Sequence, residues 1–240
     1  MTTETGPTTQ VEPTTRTGVA AQAGAWTDDP FAEAVRAGRG PLWLRREDGG
    51  RIPLDVERWC APAAGADHGL LERCTGLAAP VVDLGCGPGR LVAALLGLGV
   101  PALGVDITRA AVARTRRLGG PALCRSVFDR LPAEGRWGGA LLADGNLGIG
   151  GDPGLLLGRS AELLAPGGVL LVEVDPREID ERITVRVEGR HGRLGPPFRW
   201  ARCGAVATAR RAGRAGLVET ERWSSHGRRF LAFRRAAHTD

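Results

Sequence analysis

A glycine-rich turn behind a buried apolar segment constrains this chain more than any other feature. Residues 81–84 form the apolar segment, and a helical pattern begins at residue 90. Glycines occupy alternate positions of the intervening turn, namely Gly85, Gly87 and Gly89. Because glycine has no Cβ atom, the backbone can bend sharply there and approach a bound molecule closely, and the following helix directs unpaired N–H groups at the turn. This arrangement is typical of a nucleoside-containing ligand held at the carboxyl end of a parallel sheet.

Strand and helix patterns alternate along the rest of the main segment. We predict strands at residues 81–84, 102–105, 122–125, 139–143 and 169–174, with helices between them. The strands are largely apolar, as expected for parallel strands that are buried on both faces. Two more strands are predicted at residues 217–223 and 229–233. Repeated strand–helix units of this length predict an α/β fold with a parallel sheet and right-handed crossovers.

Composition divides the chain into three parts. Residues 1–25 are rich in Thr, Pro and Gly and have almost no large apolar side chains, so we predict a disordered tail there. Residues 26–76 are predicted to form a small N-terminal helical cap. Residues 77–240 are predicted to form the ligand-binding domain, with residues 176–202 inserted as a further part of the cap. Within that insertion, the aromatic and proline-rich residues 196–200 predict a rigid turn.

Charge and hydropathy narrow the possible partners. The chain has 240 residues and a net charge of +5, and all of its basic residues are arginine. The arginines are scattered, without interleaved aromatic residues, so the pattern does not favour nucleic acid as a partner. No apolar run approaches the length of about 20 residues that a membrane span needs, and no signal peptide is recognised. We therefore expect a cytoplasmic protein that does not associate with membranes.

The cysteines give no sign of a metal or disulfide framework. Five cysteines are widely spaced along the chain: Cys60, Cys74, Cys86, Cys124 and Cys203. They form no CxxC pair and no Cys/His cluster, so no metal site is predicted. A reducing compartment is the simplest interpretation. The sequence leaves the oligomeric state open between a monomer and a homodimer.

Polar residues at the ends of two further strands complete the pattern around the glycine turn. Asp106 ends the second strand, where a carboxylate can accept hydrogen bonds from both hydroxyls of a ribose, although it can also cap the helix that follows. Residues 144–146, with the sequence Asp-Gly-Asn, follow the fourth strand, and Pro-Gly-Gly at residues 166–168 precedes the fifth. With these features the sequence resembles the class I S-adenosylmethionine-dependent methyltransferases over about residues 80–175.

This resemblance implies both a fold and a cofactor. The implied fold is a Rossmann-like, doubly wound, mostly parallel seven-stranded sheet whose last strand is antiparallel. The implied cofactor is S-adenosylmethionine, with its methionine part at the glycine turn, its ribose at Asp106 and its adenine beside the residues after the third strand. Many family members carry an acid for the adenine amino group, whereas this chain has Ser126 there and Asp129 three positions later. The predicted cofactor-binding residues are Asp83, Gly85, Cys86, Gly87, Gly89, Asp106, Ile107, Ser126, Val127, Phe128, Asp144 and Asn146.

The resemblance also implies methyl transfer from the cofactor to an acceptor. The protein must mainly align the acceptor with the methyl group, and a base is needed only where the acceptor keeps its proton near neutral pH. The predicted catalytic residues are Asp144, after the fourth strand, and His191, in the cap insertion. The motif Asn/Asp-Pro-Pro-Tyr/Phe, which many amino-group methylases of DNA and protein carry, is absent after the fourth strand. Its absence argues against a nucleic-acid adenine as the acceptor.

We expect the N-terminal segment and the 176–202 insertion to form the acceptor pocket. Four aromatic side chains are predicted to form an apolar lid, namely Trp43, Trp59, Phe198 and Trp200. Four arginines of the insertion are candidates for binding a carboxylate or phosphate on a small substrate, namely Arg186, Arg190, Arg193 and Arg199. The same aromatic residues can instead serve only to pack the cap onto the sheet.

The function predicted from these features is methyl transfer to a small-molecule acceptor, as in bacterial secondary metabolism. One alternative is a methyltransferase-fold protein that acts on or binds RNA or protein. Another is an NAD(P)-dependent oxidoreductase. In the dinucleotide-binding motif, however, two residues separate the second and third glycines, whereas one residue separates Gly87 from Gly89 here. A non-methylating enzyme that uses the same cofactor, such as a cyclase, is the remaining alternative.

Overall fold

Residues 30–237, which the computed structural model describes, form eleven strands and seven α-helices. The strands are β1 (Trp43–Arg46), β2 (Arg51–Pro53), β3 (Val81–Leu84), β4 (Ala102–Asp106), β5 (Ala122–Cys124), β6 (Trp137–Leu142), β7 (Leu164–Val174), β8 (Asp180–Glu188), β9 (Leu194–Cys203), β10 (Leu217–Ser225) and β11 (Arg228–Arg235). The helices are α1 (Pro30–Ala37), α2 (Val56–Cys60), α3 (Asp67–Thr75), α4 (Arg90–Gly97), α5 (Arg109–Arg117), α6 (Pro153–Leu163) and α7 (Ala205–Arg214). The predicted disordered tail, residues 1–25, lies outside the described residues.

The central sheet has seven strands in the order β10-β11-β7-β6-β3-β4-β5. The strands β7, β6, β3, β4 and β5 are paired in parallel, and β11 is antiparallel to both β7 and β10. Asp83 on β3 is in register with Gly104 on β4 and Leu141 on β6, so the carboxyl ends of these strands meet at one edge. The predicted Rossmann-like sheet with an antiparallel last strand is confirmed.

Apolar side chains bury both faces of this sheet. Val82 and Leu84 on β3 belong to one core cluster, and Val81 on the same strand belongs to a second core cluster. All three side chains are fully buried. This explains why β3 is apolar on both faces, since helices cover each side of a doubly wound sheet.

A second, four-stranded antiparallel sheet forms the cap, in the order β2-β1-β8-β9. The predicted helical character of the cap is therefore incomplete, because the N-terminal segment contributes a hairpin as well as helices. β1 pairs with β8 of the insertion, which places Leu44 opposite Val187. Both side chains are buried in a third core cluster together with Phe198. In the β1–β2 hairpin, β8 covers the free edge of β1. Because β1 and β8 are far apart in the sequence, this pairing forms only in the folded chain.

The rigid turn predicted at residues 196–200 is wrong, because these residues lie within β9. Pro197 is in register with Arg186 of β8. A strand can contain proline when it lies at the edge of a sheet, since one side of its backbone needs no hydrogen-bonding partner. β9 is such an edge strand.

Candidate active site

A cavity of about 1020 Å³ opens at the carboxyl ends of β3, β4, β5 and β6 and reaches the cap. Its volume is at the upper end of the range found for small-molecule sites. Ten of the twelve predicted cofactor residues line it: Gly85, Cys86, Gly87, Asp106, Ile107, Ser126, Val127, Phe128, Asp144 and Asn146. The two others, Asp83 on β3 and Gly89 at the end of the glycine turn, are not part of the lining.

The glycine turn is held in place from both sides. The N–H groups of Gly85 and Cys86 donate to the carbonyl of Val105 on β4, at 2.8 and 3.0 Å. Asn146 donates through Nδ2 to the carbonyl of Gly85 at 2.7 Å. A Cβ atom on Gly85, which has a φ of 79°, would lie 2.8 Å from both Asn146 Nδ2 and Ile149 Cδ1. The turn therefore requires glycine because the segment after β6 packs directly against it.

Asp106 connects β4 to the glycine turn. Its Oδ2 accepts a hydrogen bond from Gly87 N at 2.9 Å, and its Oδ1 accepts one from Thr108 N at 2.7 Å. Burial raises the pKa of this carboxyl, although the two N–H groups act in the opposite direction. Each carboxylate oxygen can accept more than one hydrogen bond. Asp106 can therefore order the turn and still accept hydrogen bonds from a ligand in the cavity.

Asp83 is a buried acid beneath the turn. It is only 2 % exposed. Burial raises its pKa to about 7, with Asp144 and Asp106 acting in the same direction and Arg90 opposing them. Asp83 is not part of the cavity lining, so its predicted contact with the cofactor stays a prediction.

The loop after β5 forms the side of the cavity that the resemblance assigns to adenine. Phe128 donates its N–H to Ser126 Oγ at 3.2 Å, and Arg159 on α6 donates to the carbonyl of Val127 at 3.1 Å. The ring of Phe128 lies so close to Gly150 that a Cβ atom there would be 2.8 Å from it. Phe128 is thus fixed between this loop and the segment after β6.

The carboxylate of Asp144 is bound by three arginines. Arg58 on α2 donates through Nη1 to Oδ1 at 2.7 Å, and Arg228 at the start of β11 donates through Nη2 to Oδ1 at 3.0 Å. Arg90, the first residue of α4, donates to both oxygens. Burial would raise the pKa of Asp144, but the positive charges of Arg90, Arg58 and Arg228 outweigh it and hold the pKa below its usual value.

Two more acids belong to this ion network. Arg90 donates through Nη2 and Nε to both oxygens of Asp67, at 2.8 and 2.9 Å. Arg228 also donates to Asp67 and, through Nε, to Glu173 on β7 at 2.7 Å. Three arginines and three acids therefore form one ion network at the carboxyl edge of the sheet. No local sequence pattern reveals this network, because its members are spread from Arg58 to Arg228.

His191, the second predicted catalytic residue, does not reach the cavity. It is exposed and lies in the short turn between β8 and β9, with a φ of 62°. Among residues 30–237, the cavity lining contains no histidine. His191 is not among the lining residues, so its position gives no support to the predicted catalytic role, which stays a prediction.

The predicted apolar lid is formed in part. Trp59, Phe198 and Trp200 line the cavity, and Phe31 and Leu54 join them. Phe198 and Trp200 are in edge contact, with ring centroids 6.0 Å apart. Trp43 instead lies under the guanidinium of Arg51, 5.1 Å from its ring centroid. The cap thus supplies an aromatic wall from α1, α2 and β9.

No group of three or more His, Cys, Asp or Glu side chains within residues 30–237 is arranged to hold a metal ion. No helix in that part of the chain is both long and apolar enough to cross a membrane.

Comparisons with known proteins agree on the architecture. No protein-family model and no curated sequence matches the chain. A methyltransferase from Bacteroides fragilis, solved with S-adenosylhomocysteine, is 21 % identical with a TM-score of 0.67, covering 89 % of this chain and 96 % of its own. CcbJ from Streptomyces caelestis is 20 % identical with a TM-score of 0.62, covering 90 % and 99 %. CalS10, an amino pentose methyltransferase from Micromonospora echinaspora involved in calicheamicin biosynthesis, is 16 % identical with a TM-score of 0.53, covering 71 % and 90 %.

These identities are too low to transfer an activity, but the shared architecture spans nearly the whole of the first two structures. In this chain that architecture consists of the seven-stranded sheet and the cap over its carboxyl edge. The chain therefore has the fold of the class I S-adenosylmethionine-dependent methyltransferases.

Proposed function

We propose that the protein is an S-adenosylmethionine-dependent methyltransferase that acts on a small-molecule acceptor. One observation carries the proposal: the glycine turn, Asp106 and an aromatic wall from the cap line the same cavity of about 1020 Å³. The first two suit a nucleoside cofactor, and the third provides an apolar surface for a second molecule. A cavity of this volume suits a cofactor together with a small acceptor better than one of these molecules alone.

The residues present fit the cofactor. A Cβ atom at Gly87 would meet nothing within 4 Å, so the turn leaves open space in the cavity beside its backbone. Asp106 lines the cavity with a carboxylate that would accept hydrogen bonds from the two hydroxyls of the ribose. Ser126, Val127 and Phe128 would flank the adenine, and Asn146 would stand between the turn and the acceptor.

When bound, the cofactor supplies an electrophilic methyl group and a neutral thioether as the leaving group. The chain's own residues then hold the acceptor so that its nucleophilic atom lies in line with the methyl carbon and the sulfur. Alignment of this kind can lower the activation free energy by about 7–11 kcal/mol in favourable intramolecular cases. The cap residues Trp59, Phe198 and Trp200 exclude water from that region.

We propose that Asp144 anchors the cap and orders the site, and that it does not act as a base. Its carboxylate is bound by three guanidinium groups, which hold its pKa below the usual value and make it a weak proton acceptor. The described cavity lining offers no histidine in its place. An acceptor that already has a free lone pair, such as a neutral amine, or one that gives its proton to water, suits such a site.

A small acceptor is supported by the cap, which closes the cavity on one side with β9 and α2. CalS10, whose fold is similar, is an amino pentose methyltransferase involved in calicheamicin biosynthesis. By extension, we propose that this chain acts in bacterial secondary metabolism. The cofactor-binding role of the twelve predicted residues and the predicted boundaries of the cap also belong to this proposal.

Calorimetric titration of the full chain with S-adenosylmethionine, S-adenosylhomocysteine and NADH tests the proposal. We expect both sulfur compounds to bind at one site and NADH to give no heat. Failure of both sulfur compounds to bind would overturn the methyltransferase assignment, and binding of NADH alone would favour the oxidoreductase. RNA binding that weakens steeply with salt would support the RNA-binding alternative.

A further inference from the structure

The four arginines of the cap insertion occupy different environments. Arg186 donates through Nη1 to the carbonyl of Gly195 at 3.1 Å, and Arg190 donates through Nη2 to the carbonyl of Gly40 at 2.9 Å. Arg193 lies 3.7 Å from Glu33 in an exposed pair. None of these three is part of the lining of the main cavity. Each arginine instead stabilises a connection within the cap.

Arg199 is different because it lines the main cavity. Within residues 30–237, no carboxylate lies within 4.0 Å of its guanidinium, and no hydrogen-bond acceptor pairs with it. The nearest acid along the adjoining loop, Asp152, is already engaged by Arg182 at 3.2 Å and by the N–H groups at the start of α6. Arg199 therefore presents an uncompensated positive charge to the cavity.

The backbone at Arg199 is held in one place. A Cβ atom added to Gly151 would lie 2.5 Å from Arg199 Cβ, so β9 presses directly on the segment after β6. On its other side β9 pairs with β8, with Arg199 opposite Thr184. The neighbours Phe198 and Trp200 also line the cavity. The backbone from which the exposed Arg199 side chain extends is thus fixed, and its sequence neighbours belong to the aromatic wall.

The other arginines in the cavity lining have partners of their own. Arg90 is bound to Asp67 and Asp144, and Arg159 to Glu134 and Glu162. Arg125 donates to the carbonyl of Arg130 at 2.7 Å. Arg130 is close enough to Glu134 to help lower its pKa, although Arg159 contributes more. Among the lining arginines of residues 30–237, Arg199 differs from these four because its guanidinium has neither a hydrogen-bond acceptor nor an acid within 4.0 Å, and it contributes to the pKa of no neighbouring acid.

We infer that Arg199 recognises an anionic group, a carboxylate or a phosphate, on the methyl acceptor. The planar guanidinium can donate two parallel hydrogen bonds to either group. The adjacent aromatic wall would pack against the apolar or aromatic frame that carries the anion. This inference rests on the proposed function and specifies the acceptor class for that site.

The test uses the full chain saturated with S-adenosylhomocysteine. Salicylate and phenyl phosphate serve as anionic probes, and salicylamide is the neutral partner of salicylate. Their dissociation constants are measured by ligand-detected NMR for the wild type and for Arg199→Gln, Arg199→Lys, Arg130→Gln and Arg186→Gln. Arg186→Gln is the matched control, because it removes the same charge from the partner strand outside the cavity.

We expect the wild type to bind salicylate at least about tenfold more tightly than salicylamide, as a hydrogen bond to a charged group would give. Arg199→Gln should abolish this preference, Arg199→Lys should retain part of it, and Arg186→Gln should leave it unchanged. No preference for the anionic probes, no detectable binding of them, or a preference that only Arg130→Gln removes would overturn the inference. Those outcomes leave the proposed function standing if S-adenosylhomocysteine binds, whereas its failure to bind removes both.

Discussion

Arg58 of the cap donates a hydrogen bond to Asp144 at the carboxyl end of β6, with Nη1 2.7 Å from Oδ1. Arg58 also pairs with Asp55, which caps its own helix, at 3.0 Å. One guanidinium therefore joins the start of α2 to the edge of the central sheet. Because the next residue, Trp59, lines the cavity, this ion pair helps to set the position of the aromatic wall.

Replacing Asp144 by Asn tests whether this residue anchors the site. The change leaves three guanidinium groups with one fewer negative partner in a largely buried environment. We expect a loss of about 3 kcal/mol in the free energy of unfolding, because breaking a buried ion pair leaves an uncompensated charge. Urea denaturation measures this loss. The control is Asp129→Asn, an exposed acid of the same cavity, for which about 0.5 kcal/mol or less is expected. A stable Asp144→Asn variant that loses only turnover would show that the residue is the base.

Replacing Asp83 by Asn tests the buried acid beneath the turn. Burial raises the pKa of Asp83 to about 7 in the folded protein, against about 3.9 in an unfolded chain. The folded state thus keeps a proton that the unfolded state releases between these values. The stability that Asp83 contributes is fully present below about pH 4, falls as the pH rises to about 7, and is constant above.

Relative to Asp83→Asn, the wild type should therefore lose about 2–3 kcal/mol of stability between pH 5 and pH 7. Urea denaturation of both proteins at a series of pH values measures this difference. Asp48→Asn is the control, because Asp48 is exposed and its pKa is lowered, chiefly by the N–H group of Gly50. Parallel stability curves for the wild type and Asp83→Asn over this range would contradict the assignment.

Replacing Asp106 by Ala should weaken cofactor binding about 10- to 100-fold, because hydrogen bonds to a charged acceptor are lost. The variant also frees the N–H groups of Gly87 and Thr108, so faster amide exchange is expected at Gly87. Titration calorimetry with S-adenosylhomocysteine and hydrogen exchange measure the two effects. Asp48→Ala makes the same substitution in the exposed β1–β2 hairpin and should change neither. Unaltered affinity in Asp106→Ala would remove the ribose assignment.

Replacing Gly148 by Ala tests the contact between the cap and the segment after β6. An added Cβ atom would lie 2.5 Å from Trp200 Nε1 and from the carbonyl oxygen of Ala201, neither of which can move freely. We expect a loss of about 1–3 kcal/mol from overpacking. At Gly158 in α6, an added Cβ atom would meet nothing within 4 Å. Gly158→Ala should therefore raise the free energy of unfolding by about 0.5–1 kcal/mol. Thermal unfolding of the pair measures the difference, and equal stabilities would show that the cap is free to shift.

Local patterns in the sequence predicted the central sheet well. The order of strands and helices from residue 81 onward follows from apolar runs, glycine breaks and helix starts, all of which act over a few residues. The cavity residues Gly85, Asp106 and Phe128 were found the same way, because the carboxyl ends of parallel strands always meet at one edge. The chain's order of strands was thus enough to predict which residues line this side of the cavity.

The tertiary structure alone decided the cap and the charges around it. The cap sheet joins β1 to β8, and Arg51 pairs with Glu188 across 137 positions of the chain. The ion network and the separation of Arg199 from the other cap arginines depend on which acids lie within a few ångströms, and sequence spacing does not report that distance. The sequence by itself determined the order of strands and helices in the central sheet, whereas three-dimensional packing determined which charges are paired and which of them line the cavity.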